Sequence, residues 1–148
     1  MIRDDIVAYA EAQVGKPYSH QGWGPKVYDC IGLVASTWRE CGVFDYSLAD
    51  EQDPNMRCYG AEAKPMLLLS ALKKYFVQIP KQDVLLGDAL LFRSPKLQHL
   101  GIVVGLEVGK VFCVHADSTP GYRRVRRQQV RKDCKAVWGW RPRGLCNG

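Results

Sequence analysis

The sequence predicts an α+β fold in which N-terminal helices pack on a C-terminal antiparallel sheet of about five strands. Two observations carry that expectation. Apolar residues near the start recur at helical spacing, whereas beyond Asp88 they fall into short runs rich in Val, Ile, Leu and aromatics, divided by turns. Helices first and strands second argue for segregated layers rather than alternating βαβ units. At 148 residues the chain can bury one sizeable core. It contains no internal repeat or Pro/Ser-rich linker, so a single domain over 1–148 is expected.

In order, Ile6, Ala10 and Val14 stand four apart and mark a helix over 4–14, with Gly15 as its stop. Residues 15–28, rich in glycine, proline and tyrosine, read as a structured loop. A second helix begins beside Asp29, carries Leu33, Val34, Trp38 and Cys41 on one stripe, and closes at Gly42. Residues 43–63 read as an irregular excursion. A third helix is expected from about Pro65, a favourable first-turn residue, to Tyr75. Strands are then expected over Asp88–Phe92, Leu100–Leu106, Val111–His115, Tyr122–Val125 and Ala136–Trp140.

The formal charge of +6 is local: seven cations and one acid lie between Arg123 and Lys135, and the rest of the chain balances to zero. Such a segment either faces a polyanion or is a solvated edge strand whose charges discourage aggregation. Only Tyr122 lies among those arginines, a poor platform for stacking single strands, so nucleic acid is not expected as a partner. No apolar run approaches the length of a membrane span. Six cysteines at irregular spacing, without a Cys-x-x-Cys pair, point to reduced thiols rather than a disulfide framework or zinc. Cys41 and Cys113 fall in apolar patterns, as small core residues do. No cofactor or metal is expected.

Cys30 is the candidate nucleophile. With Asp29 as helix cap it falls in the first turn, where the helix dipole favours a thiolate and the amides offer an oxyanion site; the small Gly32 would let a substrate backbone approach. The competing reading is a packing cysteine on an amphipathic helix. His99 opens the strand His99–Gly105 and is the candidate base. His115 ends the next strand, and a hairpin would bring both histidines to one end of the sheet, where the second could orient the first. The competing reading of His115, and the one its position alone favours, is a strand-end residue bonded to backbone. His20, in the loop, has no such partner and is left out.

Four motifs then fall in order. Gly15-Lys16-Pro17-Tyr18 with Tyr28-Asp29-Cys30-Ile31-Gly32-Leu33-Val34 resembles the nucleophile segment of the NlpC family of cell-wall cysteine peptidases. Gly87-Asp88-Ala89-Leu90-Leu91-Phe92 resembles the strand preceding the family's base, His99–Gly105 the base-bearing strand, and Val114-His115-Ala116 the strand of the third residue. Trp138–Pro142 is similar to the closing strand. The resemblance implies a papain-like core with catalytic Cys30, His99 and His115. It makes Tyr18 a donor near the thiolate or oxyanion and Asp29 a support. The substrate it implies is the peptidoglycan stem peptide, cut at the γ-D-glutamyl–diamino acid bond. Arg124 and Arg126 would then meet the carboxylates of that substrate.

Ile31 stands where many members have serine, and Cys-Ile-Gly is similar to members associated with phage tails. The start, Met1-Ile2-Arg3-Asp4-Asp5, puts acids where a secretion signal has a basic region. The expectation is synthesis in the cytoplasm, with delivery to the wall by a virion or export machine and phage tail proteins as partners. The competing functions are a non-enzymatic tail-assembly or wall-binding module, and an amidase or acyltransferase acting on another acyl group.

Overall fold

The computed structural model describes residues 2–20, 22–44, 73–74, 76–93, 98–130 and 135–146, and of 92–93, 98–99 and 135–138 the backbone alone. Two helices, α1 (Ile2–Ala12) and α2 (Cys30–Glu40), precede six strands: β1 (Phe76–Ile79), β2 (Ala89–Arg93), β3 (Gln98–Glu107), β4 (Lys110–Asp117), β5 (Arg124–Gln129) and β6 (Lys135–Pro142). Every strand pairing is antiparallel, and the order across the sheet is β1-β6-β2-β3-β4-β5. The helix expected from Pro65 to Tyr75 lies outside the described residues except at 73–74, which are helical.

The expected α+β layering is present, with two differences of detail. β1 adds a sixth strand: its four residues, Phe-Val-Gln-Ile, are too few to show a period, and they pair with the distant β6 at Phe76↔Pro142. β5 runs on to Gln129, past the expected end at Val125, because pairing with β4 sustains a strand whose later residues are polar. Within β5 only Val125 is fully buried, which suits a charged edge.

Alternation along the strands sorts the sheet into two faces. Leu91, Leu100, Ile102, Val114, Ala116 and Trp140 join Ile6, Ala10, Leu33, Val34 and Trp38 of the helices in the main core. Leu90, Val103 and Cys113 form a smaller cluster with Val84. Cys113 is thus a core residue as expected, while Cys41 is half-buried at the end of α2.

The helices and sheet meet at Gly87-Asp88. Gly87 has φ +90°, and its carbonyl accepts the Trp38 indole N–H of α2 at 2.9 Å. Asp88 is wholly buried. Its carboxylate accepts from Arg3 of α1 (3.0 Å), twice from Arg141 of β6 (3.0 and 2.8 Å) and from the Leu85 amide (2.9 Å). The fork of Arg141 on one carboxylate is the geometry in which an ion pair survives desolvation. Asp88→Ala leaves two largely buried guanidinium groups without their shared anion, and urea unfolding is expected to show a loss of about 3 kcal/mol or more. A loss below about 1 kcal/mol would mean that the arginines re-pair with solvent.

Candidate functional site

The first turn of α2 is fixed from three sides. Asp29 has extended φ and ψ (−103°, −179°), and its side chain accepts the Gly32 N–H at 2.6 Å, an N-cap as expected. The Asp29 amide donates to the Gly22 carbonyl at 2.9 Å. The Tyr28 amide donates to Pro17 O at 3.1 Å, and its hydroxyl to Gln13 Oε1 at 3.0 Å. Cys30 is therefore the first residue of a helix whose entry is clamped by the preceding loop.

Gly32 has a different role from the one expected. A Cβ on it would fall on the Gly22 carbonyl and within 2.7 Å of Trp23 Cδ1. The space above the helix start is occupied by the chain's own glycine-rich loop, not left open for a substrate backbone.

Cys30 is buried, and the Leu100 backbone N–H comes near enough to its thiol to favour the thiolate. The pairing of β3 with β4 runs from Glu107↔Lys110 only to Gly101↔His115, so Leu100 lies just beyond the last pair, where its amide can turn to sulfur. His99, opposite Phe92 on β3, is the residue before that amide. The backbone thus brings position 99 to Cys30, while the His99 imidazole lies outside what the structure describes. Burial first, then the Asp29 carboxylate, push the thiol up to about 12, against the pull of the Leu100, Ile31 and Cys30 amides. Among the described neighbours, then, the helix start does not deliver the depressed pKa expected of it, because burial outweighs the backbone amides and the capping acid adds to it.

His115 lies opposite Gly101, two positions along β3 from His99. Its Nε2 is 2.9 Å from Gln128 Oε1 of β5. Burial lowers its pKa, with Gln128 and Asp117 opposing and Arg126 reinforcing the shift. Asp117 is itself nearly buried. Burial would raise its pKa, but the Thr119 amide and hydroxyl, His115 and Arg126 together hold it below the usual carboxylate range. Gln128 is the participant that sequence reading missed; a glutamine on a polar strand gives no local signal of its partner.

Tyr18 is half-buried on the loop that precedes α2. Its amide donates to Arg123 O (3.2 Å), it bridges Tyr28, and the Arg123 guanidinium lies 5.2 Å from its ring centre. Arg126 pairs with Asp117 at 3.0 Å and lies over Tyr122 at 4.5 Å, whereas Arg124 is exposed and opposite Asp117 in register. The site residues therefore gather at one end of β3, β4 and β5, with Arg126 already committed to an acid. No helix among the described residues is long and apolar enough to cross a membrane.

Comparison with known proteins bears on this arrangement. The model of the NlpC/P60 family matches residues 15–139. No match was found among curated protein sequences. NlpC1 of Trichomonas vaginalis is similar in structure, with TM-score 0.61 and 24% identity over 94% of this chain and 44% of its own, so the chain spans under half of that relative's length. The NlpC/p60 domain of the peptidoglycan hydrolase SagA gives TM-score 0.56 and 22% identity over 93% of this chain and 96% of its own. RipD of Mycobacterium tuberculosis, described as a non-catalytic NlpC/p60 protein adapted to peptidoglycan binding, gives TM-score 0.53 and 16% identity over 96% of this chain and 94% of its own.

Two outcomes test the local geometry. Gly32→Ala must lift the Gly22–Trp23 loop, with an expected stability loss of about 1–3 kcal/mol and an altered tryptophan emission; an unperturbed spectrum and melting curve would contradict the close approach. Asp29→Asn keeps a capping oxygen but removes the charge beside sulfur. The pH midpoint of Cys30 alkylation, followed by peptide mass mapping, is expected to fall relative to wild type; an unchanged midpoint would exclude Asp29 as a cause of the raised pKa.

Proposed function

The chain belongs to the NlpC/P60 family, and from that membership we propose that it is a cysteine peptidase of peptidoglycan, with Cys30 as nucleophile, His99 as general base and His115 orienting the base. The observation that carries this reading is that the Leu100 backbone N–H favours the Cys30 thiolate, so the residue after His99 lies near the sulfur. A thiol near 12 is almost wholly protonated at neutral pH, so a nearby imidazole has to take its proton.

In the proposed cycle, His99 accepts the thiol proton as Cys30 Sγ attacks the scissile carbonyl. Backbone amides at the start of α2 stabilise the oxyanion; the Gly32 amide, engaged by Asp29, is not among them. Collapse of the tetrahedral species breaks the C–N bond as His99 protonates the leaving amine. His99 then takes a proton from water, whose oxygen attacks the thioester and releases the carboxylate and the thiol. The finer assignment is the γ-D-glutamyl–diamino acid bond, with Tyr18 donating near the reacting atoms and the exposed Arg124 facing the substrate's carboxylates. Cys30-Ile31-Gly32, being similar to phage-tail members, supports a setting in which the domain is carried to the wall within a tail.

A second reading, wall binding without cleavage, draws on the burial of Cys30 and on the likeness to RipD. Incubation with purified muropeptides, reading new termini by mass, separates the two. Cys30→Ala and His99→Ala are each expected to abolish cleavage with folding intact, and His115→Ala to cost less than either. Full cleavage by Cys30→Ala ends the peptidase mechanism. Retained binding with no cleavage by wild type establishes the binding module.

A further inference from the structure

His115 has to be uncharged and correctly tautomeric to hold another imidazole, and one contact decides the tautomer. A neutral imidazole has one N–H and one lone pair; an imidazolium has two N–H groups and nothing to accept with. Burial favours the neutral ring here. Among the described residues, the charged groups that act on the ring are Asp117 on its own strand and Arg126 on β5, and these are paired with each other at 3.0 Å, which blunts the field of both. From β3 the residue opposite is Gly101, which brings no side chain. Polarity of the hydrogen bond, not net charge, therefore selects which nitrogen keeps the proton.

That bond joins His115 Nε2 to Gln128 Oε1 at 2.9 Å. A carbonyl oxygen only accepts, so a bond of that polarity puts the proton on Nε2 and leaves the lone pair on Nδ1. From this geometry we propose that Gln128 is a positioning residue: it fixes His115 as the Nε2–H tautomer and thereby makes Nδ1 the acceptor that holds the His99 imidazole. The proposal deepens the peptidase reading, on which its catalytic half rests. It adds to Cys30, His99 and His115 a member contributed by the edge strand β5. In serine proteases a wrong tautomer at the base costs about 10⁴ in kcat. Gln128 acts one ring further out, so about tenfold or more is expected in kcat, with KM little changed.

The test combines nitrogen NMR of the histidine rings with a pH profile of muropeptide cleavage. In wild type, His115 is expected to show a protonated Nε2 and an unprotonated Nδ1. Gln128→Leu, close to the same volume, should mix the tautomers and lower kcat at every pH. Gln128→Glu keeps an acceptor and adds a negative charge. It should retain the Nε2–H signature and near wild-type kcat at high pH, but raise the pKa of His115 and move the acid limb of the profile upward. A ring protonated on Nδ1 in wild type, or a signature untouched by Gln128→Leu, overturns the assignment whatever the cleavage. If the signature responds as expected while wild type shows no Cys30-dependent cleavage, it is the peptidase reading that fails and the tautomer assignment stands. An upward-shifted acid limb in Gln128→Glu supports both. A flat loss at all pH values in Gln128→Glu, equal to that of Gln128→Leu, contradicts the positioning role and leaves only a packing one.

Discussion

The buried carboxylate of Asp88, with the Gly87 carbonyl beside it, sets the distances on which the site depends. Trp38 hangs α2 from Gly87, and the Val103 amide and carbonyl bond to Asp88 O and Gly87 N at 2.8 Å each, which sets β3 against the same anchor. Cys30 lies eight residues back along the helix, about 12 Å at the α-helical rise. His99 lies four residues back along the strand, about 13 Å at the β rise. Two elements of different pitch thus reach nearly the same distance from one origin, and there the Leu100 amide comes near enough to Cys30 to favour its thiolate. A shift of one residue in β3 would move position 99 by about 3.3 Å and reverse its face. The Arg3 and Arg141 pairs that hold Asp88 are therefore remote from the chemistry but govern its register.

Asp29 serves stability and chemistry in opposite senses. Its carboxylate satisfies the Gly32 amide and, by its charge, suits the positive end of the helix. The same charge beside a buried sulfur raises the cost of a thiolate, and burial raises it further. Three backbone amides oppose this without overcoming it. Thiolate formation then has to be coupled to a cation created at the same moment, which is what proton transfer to an adjacent imidazole supplies. A resting thiol of this kind is also protected from adventitious oxidation, since oxidation proceeds through the thiolate.

Much of this was legible in the sequence where local chemistry decided the outcome. Asp29 followed by a helical stripe and Gly42 marks α2 nearly to the residue, and the Val/Ile runs around Gly105 and Gly109 mark β3 and β4. The order of motifs placed Cys30 on the helix and both later histidines on the sheet. What escaped was set by tertiary context. β1 owes its existence to β6, more than sixty residues away. The later part of β5 is polar and is a strand because β4 pairs with it. Gly32 looked like room for a ligand until the Gly22 carbonyl filled it. Gln128 and Arg126 acquired their partners, His115 and Asp117, only through the β4–β5 register.

The same geometry explains how one architecture can serve both a hydrolase and a binder. Backbone amides converge on the position of Cys30, and their placement follows from the helix cap and from the end of β3–β4 pairing, neither of which needs a reactive side chain. A site of that kind can hold an acyl oxygen or a carboxylate whether or not bond cleavage follows. The proposed catalysis adds three demands that the backbone cannot meet: a thiol to attack, an imidazole to exchange the proton, and a neutral acceptor to keep that imidazole oriented. Both histidines lie on the strands that the Asp88 anchor registers, and in the proposal above Gln128 of the edge strand selects the acceptor's tautomer.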